Sequence, residues 1–132
     1  MDGIKNSVQS VYVLAGPAII SSNAETNLGK YGTVTRIYGS DRYATCILVN
    51  EKFADVLTGD SMCLACGTNY PDALAGSVLA AKLRSPLMLV GKTLTDGQRT
   101  YVRSRHPAHV YAFGGTFVLS DEVFDEVKQA AK

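Results

Sequence analysis

An excess of charge of either sign is nearly absent from this sequence: thirteen Lys and Arg stand against twelve Asp and Glu, a net +1 over 132 residues. Non-specific nucleic-acid binding requires a broad basic field, so no nucleic-acid partner is expected. Long hydrophobic runs are missing too. Nothing approaches the roughly 20 apolar residues of a membrane helix, and no membrane span is expected. The start, Met1 to Ser7, lacks the apolar core of a signal peptide, although a domain excised from a longer chain lacks its leader as well.

Cysteine is scarce and odd in number, which argues against a disulfide framework. Cys63 and Cys66 have Cys-x-x-Cys spacing inside an apolar run that reads as a strand. Residues three apart on a strand point to opposite faces, so these sulfurs do not easily share a metal, and the first of them, Cys63, is not offered at the helix N-terminus that a redox pair would want. Buried thiols acting as small hydrophobes is the simpler reading. No G-x-G-x-x-G, P-loop or G-x-S-x-G motif occurs. His106 and His109 have no evident ligand or triad partner. No cofactor, metal site or catalytic residue is expected.

What is present is alternation. Val11–Leu14, Val34–Tyr38, Met62–Cys66, Leu87–Val90 and Val110–Phe113 read as strands, and their near-continuous hydrophobicity suits parallel strands covered on both faces. Helical patterns lie between them, at roughly 21–30, 41–54, 71–83 and 95–106, with a fifth after Ser120. Ser22 with Glu25, and Thr95 with Gln98, have capping-box spacing. Pro71 suits a first helical turn. Five βα units predict an α/β, Rossmann-like layered fold, with one mostly parallel sheet of about five strands and helices on both faces. Residues 1–9 read as an extension and 10–132 as one module.

The chain also repeats itself. Residues 11–28, VYVLAGPAIISSNAETNL, align without a gap on 110–127, VYAFGGTFVLSDEVFDEV, at an offset of 99. A strand, turn and helix that return after 99 residues read as one period plus the start of the next. Tandem modules are more often binding arrays than enzymes.

Two segments carry polar residues at strand–helix junctions. In the first, Arg36 lies within a strand, where a lone charge is costly, so Asp41 or Asp72 is the expected partner. Arg42, at a helix start, projects at the rim where α/β sheets bind ligands. In the second, Asn69 and Asp72 are placed to stitch a βα turn. The helix after them has no charge from Ala73 to Ala81, which predicts burial on all sides, with one face against another module.

Together GSDRYAT, CGTNYPDALAGSVLAAKL, SPLMLV and the returning VYxxGG pattern resemble the type 2 cell-wall-binding repeat of Gram-positive surface proteins, from Val11 to about Val127. The resemblance implies a Rossmann-like module used in tandem copies, commonly packed as a trimer. It also implies non-covalent anchoring of S-layer proteins, hydrolases and adhesins to anionic wall polymers outside the cell. Carried over residue by residue, it points to Asp41, Arg42 and Tyr43 with Arg36 upstream, to Asn69 and Asp72, and to Pro86, Leu87, Met88 and Leu89. Met88 stands where Leu is more usual. Charge adds its own candidates: from Lys82 to His106 there are six Lys or Arg and one acid, and Arg99 and Arg103 are offered to a polyanion there. Two other readings remain open from sequence: a nucleotide- or small-molecule-binding Rossmann-like domain, which the fold class alone permits, and a structural spacer.

Overall fold

The structure is a computed structural model and describes residues 7–132; of the expected N-terminal extension, residues 1–6 lie outside the described residues. Strands β1 (Ser10–Val13), β2 (Thr33–Arg36), β3 (Ser61–Cys66), β4 (Leu87–Val90) and β5 (His109–Phe113) alternate with helices α1 (Ser22–Leu28), α2 (Arg42–Lys52), α3 (Tyr70–Lys82), α4 (Asp96–Arg105) and α5 (Asp121–Ala130). All pairings are parallel. Each expected element forms.

Local chemistry sets the helix starts. Thr95 and Gln98 make a full capping box: the Thr95 hydroxyl accepts the Gln98 amide at 3.2 Å, and the Gln98 side-chain oxygen accepts the Thr95 amide at 2.8 Å. The cap of α1 falls one residue before the expected Ser22. Ser21 accepts from the Ala24 amide, and Glu25 is turned away to meet Arg36.

The expected single sheet is instead two: β1–β2, and β4–β3–β5. The reason lies at the outer edge of β4. The Leu87 carbonyl accepts from the Asn50 amide at 3.0 Å and from the Cys46 thiol at 3.2 Å, and the Leu89 carbonyl accepts from the Gln98 side-chain amide at 2.5 Å. Side chains of α2 and α4 thus occupy the bonds another strand would make, and the edge is closed. β2 pairs with β1 instead.

β3 is buried at all six positions. Its alternate residues Met62, Leu64 and Cys66 join Met88 and Val90 of β4 under Val102 of α4 and Val123 and Val127 of α5. Burying each such side chain contributes about 1.5–3 kcal/mol, so this layer is the main source of stability. Helix α3 covers the opposite face, its Gly76 set against the Phe113 ring; a β-carbon there would lie 2.5 Å from that ring. Helices therefore cover both faces of the larger sheet. Helix α3 is not buried all round as its composition predicted. Tyr70, Leu74 and Val78, spaced four apart, are 76%, 64% and 72% exposed, because none of the described residues packs outside this face of α3.

Two measurements test this account. Gln98→Leu keeps the volume but leaves the Leu89 carbonyl and the Thr95 amide unpaired. It is expected to cost about 2–4 kcal/mol in denaturant unfolding, and a loss within about 0.5 kcal/mol would show that the β4 edge needs no such closure. Burial pushes the Tyr101 phenol up to about 12, with the Arg105 charge opposing it. The unfolded phenol ionises near 10, so the unfolded state loses its proton first and stability falls as pH rises from about 10 to 12, by roughly 2–3 kcal/mol. Tyr101→Phe is expected to flatten that fall; an unchanged alkaline profile would overturn the assignment.

Candidate functional site

The carboxyl ends of β1, β2 and β4 open on a shared cleft of about 700 Å³. The turn after β1 forms one wall with Leu14, Gly16 and Ile19, and the segment after β2 forms the mouth with Gly39, Ser40, Asp41 and Arg42. Thr45, Cys46 and Val49 of α2 and Leu89 of β4 make the floor. Crevices at the carboxyl ends of parallel strands are where layered α/β folds bind ligands. The lining is mainly apolar, with Arg42 and Asp41 as its charged groups.

At the mouth, Asp41 caps α2, its carboxylate accepting the Ala44 amide at 2.8 Å. Arg42 is exposed and donates one N–H to the Gly67 carbonyl at 2.7 Å. A guanidinium carries five N–H groups, so this single contact steers Arg42 and leaves most of its donors to solvent. Tyr43 packs against the same strand end, where a β-carbon on Gly67 would stand 2.5 Å from its ring. The G-S-D-R-Y and C-G-T-N-Y-P segments are thus two sides of one packing contact. On the second side, the Asn69 amide donates to Asp72 at 2.9 Å, stitching the turn into α3.

Arg36 has a different partner from the two expected. Its Nε donates to Glu25 of α1 at 2.9 Å, its Nη1 donates to the Ala15 carbonyl, and its Nη2 lies 2.8 Å from the same Glu25 oxygen, off the hydrogen-bond axis. Asp41 is committed to its cap and Asp72 to Asn69. At 11% side-chain exposure, Arg36 ties the β1 turn, α1 and β2 together instead of facing a ligand.

The apolar candidates separate by pleat. Pro86 and Met88 are fully buried, which removes them from contact with any ligand. Leu87 is half-buried, its carbonyl held by α2, and Leu89 alone of the four lines the cleft. The basic stretch divides too. Arg99 binds Asp96 at 3.0 Å and Glu126 at 2.7 Å, clamping α4 to α5, and Arg105 donates to the Leu57 and Gly59 carbonyls. Lys92 and Arg103 remain exposed.

The three cysteines are free thiols. Cys63 and Cys66 face opposite sides of β3, as their spacing predicted. Burial pushes the Cys46 and Cys63 thiols up. Cys66 differs: burial raises it, but hydrogen bonds from the Thr68 side chain and from the Thr68 and Asn69 backbone outweigh this and bring it below its ordinary value. Cys63 lies inside β3 and away from a helix start, as expected; α3 begins four residues after Cys66, which is only 5% exposed. Among the described residues no three His, Cys, Asp or Glu gather as a metal-ligand set, and no helix is long and apolar enough to cross a membrane.

Sequence reasoning missed the apolar wall, Leu14, Gly16 and Ile19, because the turn after β1 departs from the Gly-Gly-Thr of its repeat. Its signal was Ile19 itself, an aliphatic residue 83% exposed in a turn.

Comparison with known proteins places this geometry. The model of the family described as cell wall binding domain 2 matches residues 36–124. N-acetylmuramoyl-L-alanine amidase LytC of Bacillus subtilis (strain 168) is 31% identical over 122 residues, covering 92% of this chain and 24% of the amidase. The amidase enhancer of the same organism is 28% identical over 116 residues, covering 87% of this chain and 16% of the enhancer. This chain therefore spans a quarter or less of the relatives it matches. Among solved structures, Cwp6 from Clostridium difficile superposes with a TM-score of 0.83 at 23% identity, over 92% of this chain and 20% of that one. Cwp8 from the same organism gives 0.77 at 22% identity, over 97% and 21%. These two share the fold.

The division between structural and free arginines is testable. Arg36→Ala leaves Glu25, itself about one-third exposed, without its partner, and is expected to cost about 2–3 kcal/mol after allowance for solvent screening. Arg42→Ala is expected to cost under about 1 kcal/mol. Equal small losses in thermal unfolding would mean that Arg36 is no structural tie.

Proposed function

This chain belongs to the cell wall binding domain 2 family, a module of cell-wall and surface proteins, and on that premise we propose that it holds a larger protein at the wall by binding an anionic wall polymer. The observation that carries this reading is Arg42 at the mouth of the cleft, with one donor engaged and the rest facing solvent. A nearly neutral chain needs a local cation to hold a polyanion, and a guanidinium matches phosphate and carboxylate oxygens in pairs. Apolar walls from Ile19 and Leu89 suit the carbon faces of a polymer, and Arg103 and Lys92 add charge elsewhere on the surface. Arg99 contributes through whatever its two carboxylate partners leave free.

The module's place in its relatives supports a binding role. Segments 31% and 28% identical to this chain make up small parts of an amidase and of an amidase enhancer, as expected of an anchor joined to different effectors. We further propose that copies work together, in tandem or as trimers, through the exposed Tyr70, Leu74 and Val78 stripe of α3. An unpaired apolar face of this kind suits a protein contact.

Retention on purified wall polymer tests the reading. Tandem copies are expected to be retained at 0.1 M salt and released near 1 M, as the screening length falls from about 10 Å to about 3 Å. Arg42→Gln with Arg103→Gln is expected to reduce retention about tenfold or more with circular dichroism unchanged, since a charge-assisted hydrogen bond is worth about 1.5–3 kcal/mol. Retention that ignores both substitutions would overturn the site, and no retention at low salt would leave a spacer.

A further inference from the structure

The turns after β1 and β5 are one structure, 99 residues apart. The Gly16 carbonyl accepts from the Ile19 and Ile20 amides, both at 3.0 Å, and the Gly115 carbonyl accepts from the Val118 and Leu119 amides at 2.9 and 3.0 Å. Ser21 and Ser120 then stand at the caps of α1 and α5. The β1–α1 unit is a second instance of β5–α5.

The two instances use different edges. In β1 the Gln9 carbonyl accepts from the Thr33 amide at 3.1 Å and the Val13 carbonyl from the Ile37 amide at 2.9 Å, with Val11 opposite Val34 and Val13 opposite Arg36. Shifted by 99 residues, Val11 and Val13 become Val110 and Ala112. In β3 the Cys63 and Gly67 amides bond to β4 carbonyls, so Met62 and Leu64 are the residues directed at β5. In a parallel pair a residue directed at its neighbour stands beside one directed away. Val110 and Ala112, opposite Met62 and Leu64, therefore point their amides and carbonyls outward. Only Ala108, ahead of the strand, turns inward to the Asp60 carbonyl. Where β4 has side-chain caps on its outer carbonyls, β5 has none among the described residues.

A groove of about 490 Å³ runs beside this open edge, lined by Pro107, Val110, Phe124, Val127 and the Lys128 stem among others. In the β1–α1 unit the matching space is filled. A β-carbon on Gly29, the counterpart of Lys128, would lie 4.0 Å from the Val34 side chain. The same chain thus shows both the socket and, in its other instance, the strand that fills it.

We propose that the outer edge of β5 and its groove receive strand β2 of a second copy of this chain, so that consecutive copies share one parallel sheet, β4–β3–β5–β2, across their boundary. In such an array β5–α5 of one copy takes the place that β1–α1 holds here. Val34 of the second copy lies opposite Val110 and fills the groove, and Arg36 of the second copy lies opposite Ala112. Phe124 stands where Glu25 stands in the first instance, so that guanidinium meets an aromatic face in place of a carboxylate. The proposal rests on the tandem part of the proposed function and not on polymer binding.

Amide hydrogen exchange tests it, on the single chain and on a duplication in which residues 34–132 directly follow Lys132, which preserves the 99-residue spacing. In the single chain the Val110 and Ala112 amides are expected to exchange freely while Tyr111, bonded to β3, is protected. In the duplication, Val110 and Ala112 of the first copy are expected to slow about tenfold or more. Ala112→Pro in the first copy removes an N–H that makes no bond in the single chain, so the single chain tolerates it. In the duplication it is expected to abolish the slowing at Val110 while β3 of both copies stays protected. Unchanged exchange at Val110 and Ala112 with both copies folded would overturn the shared sheet. Slowing that appears in the single chain and grows with concentration would overturn it too, by assigning the edge to self-association of whole chains. Wall-polymer retention of the same duplication is scored separately, so loss of the shared sheet and loss of polymer binding are told apart.

Discussion

Every strand edge carries amides and carbonyls that need partners, and the way this chain meets that need organises the rest of it. The outer carbonyls of β4 are satisfied by Asn50, Cys46 and Gln98. That closure brings α2 alongside β4 instead of over a sheet face. It confines the large core to three strands, and it brings the start of α2, with Asp41 and Arg42, beside the carboxyl end of β3. The cleft exists because β1–β2 stands on the other side of α2, separated from β4 by a helix and not joined to it by a ladder. Gln98 is the pivot of this arrangement. It is fully buried, it completes the capping box of α4, and it closes the Leu89 carbonyl. A leucine in its place offers nearly the same volume and neither of the two side-chain bonds.

The basic side chains follow a similar division. Arg36, Arg99 and Arg105 each hold two segments together through carboxylates or backbone carbonyls. Their exposure is limited and each has donors committed to the protein, so the local excess of positive charge visible in the sequence overstates what a ligand meets. Arg42 keeps the opposite balance, with one bond for orientation and an exposed guanidinium. In a chain of net charge +1, a ligand-binding role rests on where such unengaged cations sit, not on their number.

Much of this was legible in the sequence, and the parts that were not share a cause. The run Met62–Cys66 reads as a doubly covered strand because all five positions are apolar, and the strand that forms, Ser61–Cys66, is buried at every position. Thr95 and Gln98 read as a cap because the bonds are local. Arg36 read correctly as a residue in need of a partner, but the partner was misassigned. Glu25 is eleven residues away on a helix whose position depends on β1 pairing with β2, while Asp41 and Asp72 were nearer in sequence or motif. The same limit applies to Pro86–Leu89. The pleat alternates, so Leu89 can face the cleft only while Met88 faces the core, but which of the two does so is set by the layer above the sheet. Splitting of the sheet was hidden because strand signals report burial, and burial does not say which edges pair. Helix α3 shows the complement: its composition predicted full burial, and the face of Tyr70, Leu74 and Val78 lies open because none of the described residues packs over it.

The family match starts at Arg36, the last residue of β2, and runs to Phe124 in the second turn of α5. β1, α1 and most of β2 lie outside it, yet they form a parallel pair that orients Arg36 and builds one wall of the cleft. The stretch that the family model matches and the stretch that builds the cleft therefore differ by a strand, a helix and most of a second strand. A difference of this kind has a physical origin, since a βα unit can complete the module before it and wall the module after it only if it belongs to both. Gly16 and Gly115 anchoring identical turns, one beside the cleft and one beside an unpaired edge, is what such sharing looks like in a single period. On this view the cleft of each copy is built partly from the copy before it, and contact between neighbours and ligand binding are two uses of the same βα unit.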